Sequence, residues 1–274
     1  MNIAVLSGKG GAGKTMAAVN LAVTAGKATY IDCDVEEPNG RLFLKPDNVQ
    51  EETVYRILPD FDAAKCTGCR ECVNSCRFHA LIYIKEKPQV FPEVCHSCGL
   101  CRMVCPEKAI AEVKKPVGTV QTGTCGETKV VTGVLNTGEG SGIPVLQAAL
   151  HHREGLTIID CPPGSACSVM ESVQGADYCI LVAEPTAFGF HNFKMVWELV
   201  CLLKKPCGVI INKVESPYEP LEQFCAENHL PVLARIPYRA GTAELISKGK
   251  IVSREDPEMR KLFESVLEKI GGAQ

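Results

Sequence analysis

Apolar residues arrive in short runs along this chain, each ended by a polar or glycine-rich corner. Ile3-Ala4-Val5-Leu6 runs into Ser7-Gly8-Lys9-Gly10-Gly11. A helical period follows from Lys14 to about Ala25, and a second run, Ala28-Thr29-Tyr30-Ile31, stops at Asp32-Cys33-Asp34. Apolar runs this short and unalternating are those of strands buried on both faces. Four more occur at 157–160, 178–182, 208–212 and 232–236, with helical segments near 189–203, 221–228 and 242–248. Strands alternating with helices predict a doubly wound, mostly parallel α/β sheet. A last helix sets Met259, Leu262, Phe263, Val266, Leu267 and Ile270 against a face of mixed charge. Mixed charge predicts core packing rather than a membrane-surface helix.

The texture changes between Pro59 and Pro116, where helical periodicity vanishes and cysteines concentrate. This predicts a small α+β domain over 59–116 inserted into a loop of a larger one, formed by 1–58 and 117–274. Long insertions in surface loops are tolerated because closure entropy grows slowly with length. The stretch 119–134 reads as strand material returning to the main sheet.

With 29 Lys+Arg against 32 Asp+Glu, the chain carries a net charge of -3 and no basic footprint for nucleic acid. No run approaches the roughly 18 apolar residues of a membrane span. The first residues lack the basic and small-residue marks of a signal peptide, so a cytoplasmic location is expected. Cysteine changes the picture: of 16, eight fall between Cys66 and Cys105. A chain of 274 residues without secretory marks is no disulfide scaffold, so the block points to metal.

Cys66-x₂-Cys69-x₂-Cys72-x₃-Cys76 is repeated as Cys95-x₂-Cys98-x₂-Cys101-x₃-Cys105-Pro106. The repeat resembles the bacterial two-cluster ferredoxin run, in which three cysteines wrap one cluster and the fourth ligates the other. It implies one [4Fe–4S] cluster on Cys66, Cys69, Cys72 and Cys105, and another on Cys95, Cys98, Cys101 and Cys76. Zinc sites would satisfy the cysteine count but not this repeat. His79 and His96 read as surface residues or as neighbours of the clusters, not as iron ligands. Cys33, Cys161, Cys179, Cys201, Cys207 and Cys225 read as packing residues.

Gly8-Lys9-Gly10-Gly11-Ala12-Gly13-Lys14-Thr15 fits the phosphate-loop pattern, between an apolar strand and a helix. The glycines free backbone N–H groups to face phosphate oxygens, and the helix N-terminus favours the anion. Lys14 would reach the outer phosphates and the Thr15 hydroxyl would bind Mg²⁺, with Met16 beside the nucleotide. Asp160 closes an apolar strand in Asp160-Cys161-Pro162-Pro163-Gly164, as suits a carboxylate holding Mg²⁺ through water.

With Lys9 in the loop, the sequence resembles the deviant Walker A ATPases: MinD, ParA, Mrp-type proteins, the arsenite and tail-anchor targeting ATPases, and the nitrogenase iron protein. The resemblance extends over the main sheet and, with the cysteine block, is to Mrp/MinD-type ATPases carrying a ferredoxin insert. It implies a nucleotide-sandwich dimer, homomeric or with a related ATPase, in which Lys9 acts across the interface. It implies that Asp34 positions the attacking water, that Gly164 meets the γ-phosphate, that Asn212 recognises adenine, and that Pro237 lines the base pocket. By likeness to the nitrogenase iron protein, Cys167 would hold a third cluster bridging two subunits, with Cys125 as the candidate second ligand; the alternative is that both simply pack. The leading functional expectation is an ATPase that assembles or delivers an iron–sulfur or related metal cofactor to an acceptor metalloprotein. The alternative is an ATP-gated electron donor to a redox partner. A spatial organiser like MinD or ParA fits less well, since neither a DNA-binding patch nor a membrane helix is evident.

Overall fold

The computed structural model describes residues 1–271. Eleven strands form among these residues: β1 (Asn2–Leu6), β2 (Thr29–Asp32), β3 (Asp47–Phe61), β4 (Leu81–Ile84), β5 (Lys87–Val90), β6 (Ile110–Cys125), β7 (Thr128–Leu135), β8 (Thr157–Asp160), β9 (Tyr178–Ala183), β10 (Cys207–Val214) and β11 (Val232–Pro237). The helices are α1 (Lys14–Ala25), α2 (Gly40–Leu44), α3 (Glu71–Asn74), α4 (Leu100–Met103), α5 (Ile143–Leu150), α6 (Cys167–Gln174), α7 (Ala187–Leu202), α8 (Glu219–Glu227), α9 (Ala240–Ser247), α10 (Val252–Glu255) and α11 (Pro257–Gly271).

Nine strands make one sheet in the order β11-β10-β9-β1-β8-β2-β7-β6-β3. From β11 to β7 every neighbouring pair is parallel. β6 runs antiparallel to both β7 and β3. The inner strands are buried on both faces, as the unbroken apolar runs require. One core fills the face of α5–α8 and another the face of α1 and α11. α11 presents Met259, Phe263, Val266 and Ile270 to that second core, at helical spacing. β1 lies between β8 and β9, so the crevice beyond its C-terminal end is where a ligand is expected in such a sheet.

β3 and β6 pair from Asp47↔Thr124 out to Phe61↔Ile110, forming a long ribbon. Residues 62–109 make a lobe at its end, with the β4–β5 hairpin and the short helices α3 and α4. The ribbon continues on both sides of Pro59 and Pro116, so those prolines lie within strands and do not mark a break. Among the described residues, the lobe's buried apolar cluster is small: Cys72, Leu81 and Ile110, with Phe61, Val73 and Val90 packed against it. A lobe of this size with so few buried side chains needs another source of cohesion. Cys201 is exposed on α7 rather than packed, because it faces away from the sheet next to the exposed Leu202. Among the described residues, no helix is long and apolar enough to cross a membrane.

Candidate functional site

The loop after β1 is shaped by glycines that have no substitute. A Cβ on Gly8 would lie 2.1 Å from the Asn192 carbonyl oxygen, so the loop passes flush against α7. Gly13, at φ 97°, caps α1 in the left-handed region, and a Cβ there would meet Asn212. Gly10 and Gly11 face open space. Asn212 Nδ2 donates to the Ala12 carbonyl at 2.8 Å, and Lys213 Nζ donates to the Gly11 carbonyl at 2.8 Å. The end of β10 thus braces the loop from below.

Lys14 is buried, and its Nζ donates to Asp160 Oδ1 at 2.6 Å. Burial alone would lower the Lys14 pKa; the Asp160 carboxylate overrides it and holds the ammonium above its ordinary value. The other Asp160 oxygen accepts from the Tyr30 hydroxyl at 2.8 Å. Asp32 accepts from the backbone N–H of Asp34 (3.1 Å) and Gly40 (2.9 Å). Burial, then the nearby Asp160, pushes the Asp32 carboxyl up to about 7. Asp34 is half-buried, and its pKa is raised by burial, with Lys14 opposing. Three carboxylates around one ammonium leave the crevice short of positive charge, a setting that suits a divalent cation.

Lys14, Thr15, Met16, Asp34, Asn212 and Pro237 share one cavity of about 740 Å³. Its far wall is apolar, built from Ile236, Ala243 and Ile246. Cys33 and Cys161 are buried beside the site. Lys9 pairs with Glu184 of its own chain, and Glu184 also accepts from Lys213 at 2.5 Å. The Gly164 N–H, expected to meet phosphate, here donates to the Ser7 carbonyl at 2.9 Å.

In the lobe, Cys66, Cys69, Cys72 and Cys105 line one cavity, and Cys76, Cys95, Cys98 and Cys101 line another. Each set draws three cysteines from one run and one from the other. The runs share a backbone pattern: left-handed Gly68 and Arg70 in the first answer to Ser97 and Gly99 in the second. Cys76 Sγ accepts from the Ala80 N–H and Cys105 Sγ from the Ala109 N–H, at 3.4 and 3.3 Å. Among the described residues no three His, Cys, Asp or Glu side chains converge on a single-ion position. His96 stacks on Phe78 with ring centroids 3.8 Å apart.

Cys125 and Cys167 are not brought together. Cys125 pairs with Thr128 at the hairpin where β7 begins, the end of the sheet opposite the crevice. It is buried in the α1–α11 core and accepts from Arg254 at 3.3 Å. Cys167 is exposed at the start of α6, on the crevice side. Burial at the wrong end removes Cys125 as a partner for Cys167 in a shared cluster. Tyr30, Glu184 and Lys213 belong to the site and escaped the sequence reading. A lone Tyr in a buried run needs a partner for its hydroxyl, which was the one available signal for Tyr30.

A family model described as the CobQ/CobB/MinD/ParA nucleotide binding domain matches residues 3–252. An uncharacterized protein of Methanocaldococcus jannaschii is 32% identical over 221 residues, 78% of each chain. The indolepyruvate oxidoreductase subunit IorA of Archaeoglobus fulgidus is 41% identical over 60 residues, 22% of this chain and 9% of its own length. The fold is similar to that of the cell division ATPase MinD of Pyrococcus furiosus, with a TM-score of 0.61 at 20% identity over 100% of this chain and 99% of that one.

Proposed function

Because the chain belongs to the CobQ/CobB/MinD/ParA nucleotide-binding family, we propose that it is a Mg²⁺-dependent ATPase that closes as a dimer and carries two [4Fe–4S] clusters, acting in iron–sulfur or metal-cofactor assembly or delivery. The observation that carries the cluster reading is the crosswise sorting of eight cysteines into two cavities, in a lobe with a small buried apolar cluster. The repeated spacing, with three cysteines of one run and the fourth of the other at each cavity, fits a two-cluster centre better than zinc. Backbone N–H donors to Cys76 and Cys105 fit sulfur ligands that carry charge. When bound, such clusters supply one-electron transfer or transferable iron and sulfide.

The nucleotide fits the crevice by the glycine cradle, the buried lysine and the cavity. Loop N–H groups from Gly8 to Thr15 and the α1 N-terminus would bind the phosphates. Lys14 would exchange Asp160 for phosphate oxygens. Thr15 and Asp160 would hold Mg²⁺, which neutralises phosphate charge. Asp34 would orient the attacking water. Asn212 and Pro237 would border the base, with the apolar wall of α9 behind it. For Lys9 to act across a dimer it must leave Glu184, and for Gly164 to reach phosphate it must leave Ser7.

The electron-donor reading draws support from the match to an oxidoreductase subunit, which is about the length of the cysteine insert. The likeness to the MinD fold leans towards a spatial organiser. That likeness, at 20% identity, is one of fold, and an organiser gives the cysteine lobe no task.

Lys14→Ala separates the two sites. ATP turnover should fall to background while iron stays at about eight per chain. Loss of iron together with turnover would contradict independent sites.

A further inference from the structure

Arg56 sits on β3 with 4% of its surface exposed and, among the described residues, makes no ion pair. A buried guanidinium without a counter-charge is costly, and it persists only where hydrogen bonds hold it. Its two terminal nitrogens donate to carbonyls of two different loops, Pro92 at 2.5 Å and Ser141 at 3.4 Å. Pro92 belongs to the cysteine lobe, and its carbonyl also accepts from the Cys95 N–H at 3.3 Å. Ser141 belongs to the loop between β7 and α5.

That second loop leads to the nucleotide crevice. A Cβ on Gly142 would lie 2.5 Å from Val35 Cγ2, and one on Gly133 would lie 2.6 Å from Val35 Cγ1. Val35 is therefore clamped between backbones, and its carbonyl accepts from the Leu135 N–H at 2.8 Å. Its neighbour is Asp34, which lines the crevice. On the lobe side the seam extends through Gly140 packed on Glu93, and on the ribbon through the Lys115–Glu139 pair at 2.8 Å, Lys115 lying opposite Arg56.

We propose that Arg56 is a positioning residue that ties the Cys95 loop to the loop behind Asp34, so that nucleotide binding moves the quartet Cys76, Cys95, Cys98 and Cys101 and leaves the other quartet in place. The proposal rests on the nucleotide and cluster reading above. Bound Mg-nucleotide puts new charge against Asp34, and a close-packed seam passes displacement on rather than absorbing it. The cavity of Cys76 and Cys95 abuts the ribbon at Ile57–Pro59, near this seam. The cavity of Cys66 and Cys105 lies farther out, at Phe61 and Ile110.

The test is amide hydrogen exchange on the anaerobic holoprotein with and without Mg-ATP, with iron counted in parallel. In the wild type, exchange should change several-fold at 34–40, 136–142 and 92–98, and stay constant at 66–72. Arg56→Met should keep the response at 34–40 and the iron count, and lose the response at 92–98. Arg56→Lys, which reaches one carbonyl, should restore part of it. A response at 92–98 that survives Arg56→Met, or its absence in a wild type that responds at 34–40, would overturn the proposal. Silence at 34–40 would overturn the nucleotide reading, and a wild type that holds no iron before Mg-ATP is added the cluster reading; either would take the proposal with it. Should Arg56→Met not fold, Lys115→Ala cuts the seam at its exposed edge. A reduced response at 92–98 supports the proposal and an unchanged one overturns it.

Discussion

Asp32, Asp34 and Asp160 crowd one lysine, and the crowding has a measurable sign. Asp32 is raised from 3.8 to about 7 by burial and by Asp160. Between those values the folded protein holds a proton that the unfolded chain has released. In the nucleotide- and Mg²⁺-free protein, stability from this group is present below about pH 4 and declines as pH rises to about 7. Asp32→Asn removes the titrating group and should flatten that decline between pH 5 and pH 8. Denaturation midpoints at pH 5 and pH 8 check it; a variant that keeps the wild-type slope would contradict the assignment. Glu184 is a second residue-scale case. It holds Lys9 and Lys213 against its own loop. Glu184→Gln should release Lys9 and raise the ATP-dependent dimerisation constant by about fivefold, the worth of a partly exposed ion pair. Sedimentation of the ATP-loaded protein reads this directly, and an unchanged or weaker dimer would count against an inhibitory pair.

At the scale of elements, the parallel strands and α1 were legible because each buries two faces or one stripe, and burial leaves an apolar pattern. The ribbon was not. The first seven residues of β3, Asp47–Thr53, are exposed and include a single apolar residue, Val49, so no alternation marks them as strand. Pairing with β6 makes the strand, and that is a long-range fact. Cys125 misled for a related reason: spacing along the chain cannot tell which end of a sheet a hairpin occupies. The phosphate loop and the grouping of eight cysteines around two cavities were legible because both follow from local spacing. The crosswise pairing yields its own prediction. Cys105→Ala should empty the cavity of Cys66, Cys69 and Cys72, and Cys76→Ala that of Cys95, Cys98 and Cys101. Each should lower iron from about eight to about four per chain. If Cys105→Ala instead disturbed only the cluster of its own run, by cluster spectroscopy, the crossing would be wrong. In the last helix, Phe263→Ala should cost about 3–5 kcal/mol, since Phe263 is fully buried against α1.

For the whole molecule, a nucleotide crevice and a cysteine lobe share one sheet, joined by a ribbon and by a seam that begins beside Asp34. The decisive measurement is iron and acid-labile sulfide per chain in anaerobically purified protein, counted before and after Mg-ATP with a chelator present. Two cubane clusters require about eight of each before ATP, in a protein that hydrolyses it. A count that then falls points to delivery, and a stable one to electron donation. Stoichiometric zinc without sulfide, or a lobe free of metal in an active ATPase, would contradict the cluster reading.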